Sequence, residues 1–416
     1  MQEVHVFTSS ALNYIPKVRA LLESVRNFHP EWRFHLALSE NLGNEAEINS
    51  FGFDSIVPID RLNIPDWKKW AFCHNIVELS TAIKPFMFIH LFRHEQAAKV
   101  IYFDPDTVLF SRLDDIVSFL DSSSILLTPH QTDPELTLGG VRDNEISSLK
   151  HGVFNLGFLG LARGAESYRF SKWWADRLYH FCVDNIPQGL FTDQRWMDLV
   201  PCLFDEVGVV RSTRHNVATW NLTTRELSKQ GDQVMVDNEP LGFYHFTGFD
   251  SGAHHLMKAK VGRNNTRQVD ELLEWYADYQ ARCAEDPLLK KNWGLRNFYN
   301  GVPITKEQRL VFRLREDLWQ AFDDPFDPNG YLNWWTHQGR SEFPGLFDAA
   351  NFENEYKRLK GLLPAGFRGK SGVDFGALAS MVASSLSSPA SMKAVSGRAM
   401  TVFKQEGLRG IFRRIR

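Results

Sequence analysis

The sequence predicts an α/β protein with a mostly parallel central sheet, helices on both of its faces, and a helical region at the C-terminal side. Three observations carry this. Short apolar, β-branched runs such as "EVHVFTSS", "RFHLAL", "SIVPI" and "KVIYF" alternate with segments of helical periodicity, the order that builds parallel strands joined by crossover helices. The chain has 416 residues, 43% of them hydrophobic, enough for one large core plus an appendage. After about Arg263 the pattern changes to helix-rich stretches such as "RQVDELLEWYADYQARCAED".

Taken in order, "EVHVFTSS" reads as a strand ending in small polar residues, followed by an amphipathic helix through "YIPKVRALLESVRNF". "RFHLAL" and "SIVPI" read as two further strands. A helical pattern from Trp67 to Gln96 is interrupted at "KPF", where Pro85 suits the start of a new helix. The strand Lys99 to Phe103 comes next, and "SSILLTP", "VFNLGFLGLARG" and "GFYHFTGFD" predict later strands. The expected division is 1–262 for the sheet domain, 263–370 for a helical accessory region and 371–416 for a linker and basic tail.

The formal net charge is -3, which gives no reason to expect a nucleic-acid partner. Charge is nevertheless uneven. Lys393, Arg398, Lys404, Arg409, Arg413, Arg414 and Arg416 stand against Glu406, a net of +6 in the last segment. Cys73, Cys182, Cys202 and Cys283 have no paired spacing, which suits a reducing compartment better than a disulfide framework or a zinc site. "MQEVHVFTSS" lacks a basic start and a long apolar stretch, so no signal peptide is expected. No run of about 18 apolar residues predicts a membrane span. A cytoplasmic location is expected, with the tail "MTVFKQEGLRGIFRRIR", basic and studded with apolar residues, as a candidate contact with the inner membrane face.

The segment "KVIYFDPDTVLFSRLDD" places Asp104 and Asp106 after a buried strand. In open parallel sheets ligands bind beyond the carboxyl ends of the strands. Along extended backbone, residues i and i+2 share a side, so the pair would offer hard oxygen ligands to Mn2+ or Mg2+, bridging to phosphate oxygens. A surface Asp-Pro-Asp turn is the plain alternative.

Over roughly residues 3 to 260 the chain resembles the GT-A-fold glycosyltransferases, and within them the family 8 group of glycogenin-like and galactosyltransferase-like enzymes. The resemblance rests on five stretches in the family's order: "VFTSSALNYIPKVRALLESV", "STAIKPFMFIHLF", "VIYFDPDTVLF", "FNLGFLGL" with "TDQRWMDLV", and "HFTG". It implies a metal held by Asp104, Asp106 and His245. It implies a nucleoside site around Thr8, Ser9 and Tyr14, with Lys84 on the phosphates and Asp104, Gly157 and Gly248 close to the donor. Asp193, Gln194 and Asn155 would face the transferred sugar, with Thr192 as a helix cap before them. The family's "DQGLLN" is "DQRWMDL" here and its "KPW" after the glycine is absent, so Lys258 or Lys260 is the expected substitute for the missing phosphate-binding lysine. "HNVATWNLTTR", with Asn216, Trp220, Asn221 and Arg225, would line the acceptor side or pack in the core, and Tyr331, Trp334 and Trp335 would stack on sugars or serve as core.

The function implied is metal-dependent transfer of a sugar, with retention, from a nucleotide-diphosphate sugar to a glycan or lipid-linked acceptor. UDP is the family's habitual nucleotide, and bacterial surface polysaccharide or lipopolysaccharide synthesis its setting. A catalytically silent glycan-binding scaffold at a membrane and a sugar-nucleotide nucleotidyltransferase are the alternatives. The second would want a Gly-rich, basic first turn that "TSSALNY" lacks.

Overall fold

The computed structural model describes residues 3–41, 51–249, 252 and 266–363. A seven-stranded sheet organises them. Its strands in chain order are β1 (Val4–Ser10), β2 (Arg33–Leu38), β3 (Ser55–Pro58), β4 (Lys99–Phe103), β6 (Ile125–Pro129), β7 (Phe154–Ala162) and Val207–Val209, with β5 (Thr107–Leu109) lying outside it. The spatial order is Val207–Val209, β6, β7, β4, β1, β2, β3. All neighbours run parallel except β7, which is antiparallel to both β4 and β6. The sequence-predicted α/β class is therefore what the chain adopts.

Alternation along the strands divides the core. Val100 and Tyr102 of β4 face one layer, with Phe7, Leu127 and Leu159, while Ile101 and Phe103 face the other, with Val6, Leu126 and Phe158. Helix α1 (Ile15–Phe28) covers the second layer through Leu21, Leu22 and Val25. The first layer is covered by α2 (Trp67–Phe72), α3 (Ile76–Ala82), α4 (Lys84–His94) and the helix Ala165–Phe181. Three helices thus stand where the sequence pattern read one broken run. Asn75 and Glu78 form a reciprocal cap that starts α3, and Pro85 takes the second residue of α4 rather than the first.

The helices after residue 266 pack into these layers. Phe312 and Tyr331 meet Phe72 edge-on at ring distances of 5.1 and 5.3 Å, and Arg309 donates to the carbonyls of Phe72 and His74. Tyr331 is fully buried, its hydroxyl donating to the Gln308 carbonyl, and Trp335 is buried beside it, so these aromatics are core. Met1–Phe367 forms one compact unit. The expected boundary at 262/263 and the linker and tail from 371 lie outside the described residues.

Candidate active site

The site lies at the carboxyl edge of the parallel strands. β4 stops at Phe103, and the Thr107 amide donates to the Asp104 carbonyl at 3.0 Å. Asp104, Pro105 and Asp106 therefore form a turn. The two aspartates converge across this turn and not by strand alternation. Short β5 then pairs antiparallel with the strand Phe243–His245, with Thr107 opposite His245. That register sets the imidazole against the turn. His245 Nε2 lies 3.1 Å from Asp106 Oδ1 and 3.7 Å from Asp104 Oδ2. One ligand atom from each of the three residues lies within 4.8 Å of the others.

The orientation of His245 is fixed from behind. Its Nδ1 meets Asn155 Oδ1 at 3.3 Å. An amide oxygen only accepts, so Nδ1 carries the proton and Nε2 points at the carboxylates, the arrangement metal-ligating histidines use. Asn155 Oδ1 is itself held by the Gly157 amide at 3.0 Å and by Asn216 Nδ2 at 3.2 Å. Gly157 leaves the space for this contact: a Cβ there would lie 2.4 Å from His245 Nδ1. Burial alone would lower the His245 pKa, but Asp106 and Asp104 beside it outweigh burial and raise it. Two carboxylates and one imidazole are a donor set suited to Mn2+ or Mg2+, so these residues fit the expected cation.

Lys84, expected on the phosphates, is bound to carboxylates at the edge of the larger cavity. Its side chain is 2% exposed, with Nζ 2.8 Å from Asp193 Oδ2, 3.2 Å from Asp104 Oδ1 and 3.3 Å from the Leu156 carbonyl. It ties Asp193 to the acidic turn. Burial opposes its charge, but Asp104 and Asp193 hold its pKa well above the ordinary lysine range. Tyr102 completes this group, its hydroxyl donating to Asp104 Oδ1 at 2.5 Å, while the Lys84 ammonium lies 4.2 Å from its ring centroid.

Thr192 does not cap a helix. It sits at φ 44° with its hydroxyl on Asp193 Oδ1, and the 3-10 turn Arg195–Leu199 begins two residues after Asp193. Gln194 is spent on the fold: its Oε1 accepts from the Leu156 amide at 3.0 Å and its Nε2 donates to the His151 carbonyl at 3.0 Å.

Two adjoining cavities meet at the turn. The larger, about 800 Å³, is lined by Lys84, Asp104, His130, Asn155, Asp193, Gln194, Trp220 and His245. The smaller, about 400 Å³, is lined by Ser9, Ser10, Tyr14, Tyr102, Asp104 and Asp106. Asp104 borders both. Thr8 lies buried in β1 behind the smaller cavity, and its hydroxyl has no hydrogen-bond partner among the described residues. Gly248 follows the histidine strand at φ 71°. Lys258 and Lys260 lie outside the described residues.

Sequence reasoning missed Tyr102 and His130. Tyr102 stands two residues before Asp104 on the same strand, and His130 directly follows β6 at the same edge of the sheet, so both carried a positional signal. Trp220 stands edge-on to His130 and His245 at 5.3 and 5.4 Å, and its indole N–H has no hydrogen-bond partner among the described residues.

No protein-family model matches the chain. Among characterised and uncharacterised proteins it is similar to the uncharacterized protein YfnD of Bacillus subtilis (strain 168), 25% identical over 252 residues, or 60% of this chain and 76% of YfnD. It is also similar to the uncharacterized protein YfnF of the same organism, 27% identical over 154 residues, 36% of this chain and half of YfnF. Among solved structures it is similar to galactosyltransferase LgtC in complex with donor and acceptor sugar analogs, at 16% identity and TM-score 0.40, covering 68% of this chain and 97% of that one. Mouse xyloside xylosyltransferase 1 matches 59% of this chain and 97% of its own at 14% identity and TM-score 0.34. The glycosyltransferase GlyE of Streptococcus pneumoniae TIGR4 matches 82% of this chain and 64% of its own, also at 14% and 0.34. These TM-scores fall below 0.5, so the fold and the site stand on their own geometry.

Proposed function

We propose that the chain is a metal-dependent glycosyltransferase that moves a sugar from a nucleotide-diphosphate sugar, with UDP as its nucleotide, to a glycan or lipid-linked acceptor. One observation carries the reading. The Asp104, Asp106 and His245 cluster stands where a small cavity with an aromatic wall meets a larger one. A nucleoside fits the first, with Ser9, Ser10 and Tyr14 around it. A sugar and its acceptor fit the second, beside Asp193, Asn155 and Trp220. A pyrophosphate spanning the two would pass the three candidate ligands.

Bound there, a divalent cation supplies Lewis-acid stabilisation of the leaving diphosphate. The protein's own groups do the rest. Lys84 holds Asp104 and Asp193 in place, so their positions are set before substrate arrives. Asn155 keeps the His245 proton on Nδ1. Asp193, turned into the larger cavity and buried, is placed to stabilise positive charge developing on the sugar. Retention is the expected stereochemistry, and the leaving phosphate would accept the acceptor's hydroxyl proton in a front-face transfer. The experiment is incubation with a panel of nucleotide sugars and Mn2+, read by nucleotide release. Metal-dependent release that Asp106→Ala abolishes supports the reading. Nucleotide-sugar binding with no turnover of any donor would favour a silent binding protein instead.

A further inference from the structure

The wall of the larger cavity contains a helical segment whose amphipathicity is inverted. Leu138–Gly140, Val141–Glu145 and Ile146–His151 run on without a break, the middle part in π geometry. Its inward side is polar: Asp143, Asn144, Ser147, Ser148 and His151 line the cavity. Its outward side is apolar and basic. Leu138 is 89% exposed and Leu149 63%, and Leu136 just before the segment is 93% exposed. Lys150 is exposed with them, and Arg142 is exposed while its guanidinium bonds the neighbouring Asp143.

The apolar face continues onto the next element. Arg195 donates to the carbonyls of Leu149 and Lys150, and Asp198 accepts from the Val153 amide. These bonds tie the short helical stretch that carries exposed Leu199 to the backbone of exposed Leu149 and Val153. A soluble surface helix normally turns such residues toward a core, and contiguous exposed apolar patches mark interaction sites.

We propose that this face is a lipid-docking surface that seats the mouth of the larger cavity on an anionic bilayer. Leucines on a helix flanked by outward Arg and Lys suit the headgroup boundary, where the apolar side chains enter and the cations meet lipid phosphates. The segment's acids are largely withdrawn from the face. Glu135 is bonded to Asn144 and Thr223, Glu145 holds the Glu135 amide, and Asp143 borders the cavity and pairs with Arg142; Asp133 remains exposed. The charge also disfavours the chain's own tail as the cover, because that segment carries a net of +6. On the glycosyltransferase reading, and resting on it, the acceptor is a lipid-carried glycan presented from the bilayer to a cavity that opens beside it.

The test uses the full chain and vesicles of equimolar phosphatidylcholine and phosphatidylglycerol. Cys202 is exposed, lies three residues from Leu199 on the same short helical stretch, and is the one exposed cysteine among four. A polarity-sensitive dye on Cys202 should shift to the blue when vesicles are added. The variant Leu136→Asp/Leu138→Asp/Leu149→Asp alters only exposed positions and should lower vesicle partitioning by about a hundredfold. Vesicle binding without the dye shift means that another face or the tail holds the lipid and overturns the proposal, as does the absence of binding. Unchanged partitioning of the triple variant overturns it too. Binding of UDP and Mn2+, measured on the same samples by calorimetry, is independent of these outcomes, so a failure of the glycosyltransferase reading is seen separately.

Discussion

Replacing Lys84 by methionine removes the one cation among the described residues that lies against both Asp193 and Asp104. The two contacts differ in weight. Asp193 is 3% exposed in its side chain and 2.8 Å from the ammonium, whereas Asp104 is 26% exposed at 3.2 Å. A partly solvated pair contributes no more than about 1 kcal/mol. A buried carboxylate stripped of its partner costs about 3–5 kcal/mol. Lys84→Met should therefore lose about 3–5 kcal/mol in urea unfolding at neutral pH, nearly all of it through Asp193. Adding Asp193→Leu should restore most of that loss, because a buried ion pair exchanged for apolar side chains is often neutral.

The pH dependence has a definite sign. Burial already raises the folded-state pKa of Asp193 against the opposing pull of Lys84, and without Lys84 it rises further above its unfolded value. The penalty is then fully present well above that pKa and fades as the pH falls toward the unfolded carboxylate value of about 4. A single variant that loses less than about 1 kcal/mol, or a double variant as unstable as the single, would refute the idea that the lysine is there to hold Asp193.

Three further outcomes are expected. Gly157→Ala would put a Cβ 2.4 Å from His245 Nδ1 and 2.8 Å from Asn155 Oδ1; displacing that ring should weaken Mn2+ binding by about 10–100-fold, read by calorimetry, and unchanged binding would count against His245 as a ligand. His35, buried and stacked on His5, has its pKa lowered to about 3 by burial and by His5; its contribution is present above the unfolded value of about 6.5 and is lost as pH falls, about 2 kcal/mol of it by pH 5, and His35→Gln should flatten that part of a stability-against-pH curve. Arg309→Met orphans the carbonyls of Phe72, His74 and Leu295 and should cost about 3 kcal/mol in one unfolding transition shared with the sheet; a separate, earlier transition would mean that the C-terminal helices unfold on their own.

How legible the site was depended on the kind of contact. Strand runs were readable because apolar and β-branched residues cluster between polar turns, and Asp104, Asp106 and His245 stood out by their place at strand ends. The reason for their convergence was not readable. It comes from a turn and from the pairing of β5 with Phe243–His245, a contact across more than a hundred residues. The part played by Lys84 was hidden for the same reason. The resemblance assigns this lysine to phosphates, and only the fold brings Asp193 to its ammonium. Thr192 and Gln194 matched the residue types of a helix start, yet a local bond to Asp193 and tertiary bonds to Leu156 and His151 claim their side chains. The outward leucines of Leu138–His151 were invisible to periodicity, which registers an apolar stripe without saying which way it faces.

The most direct test of the central claim is calorimetric titration of UDP into the full chain with and without Mn2+, repeated on Asp106→Ala. The account predicts binding that needs the metal in the native protein and is lost in the variant. Heats that are identical with and without Mn2+, or that survive the loss of Asp106, would contradict it.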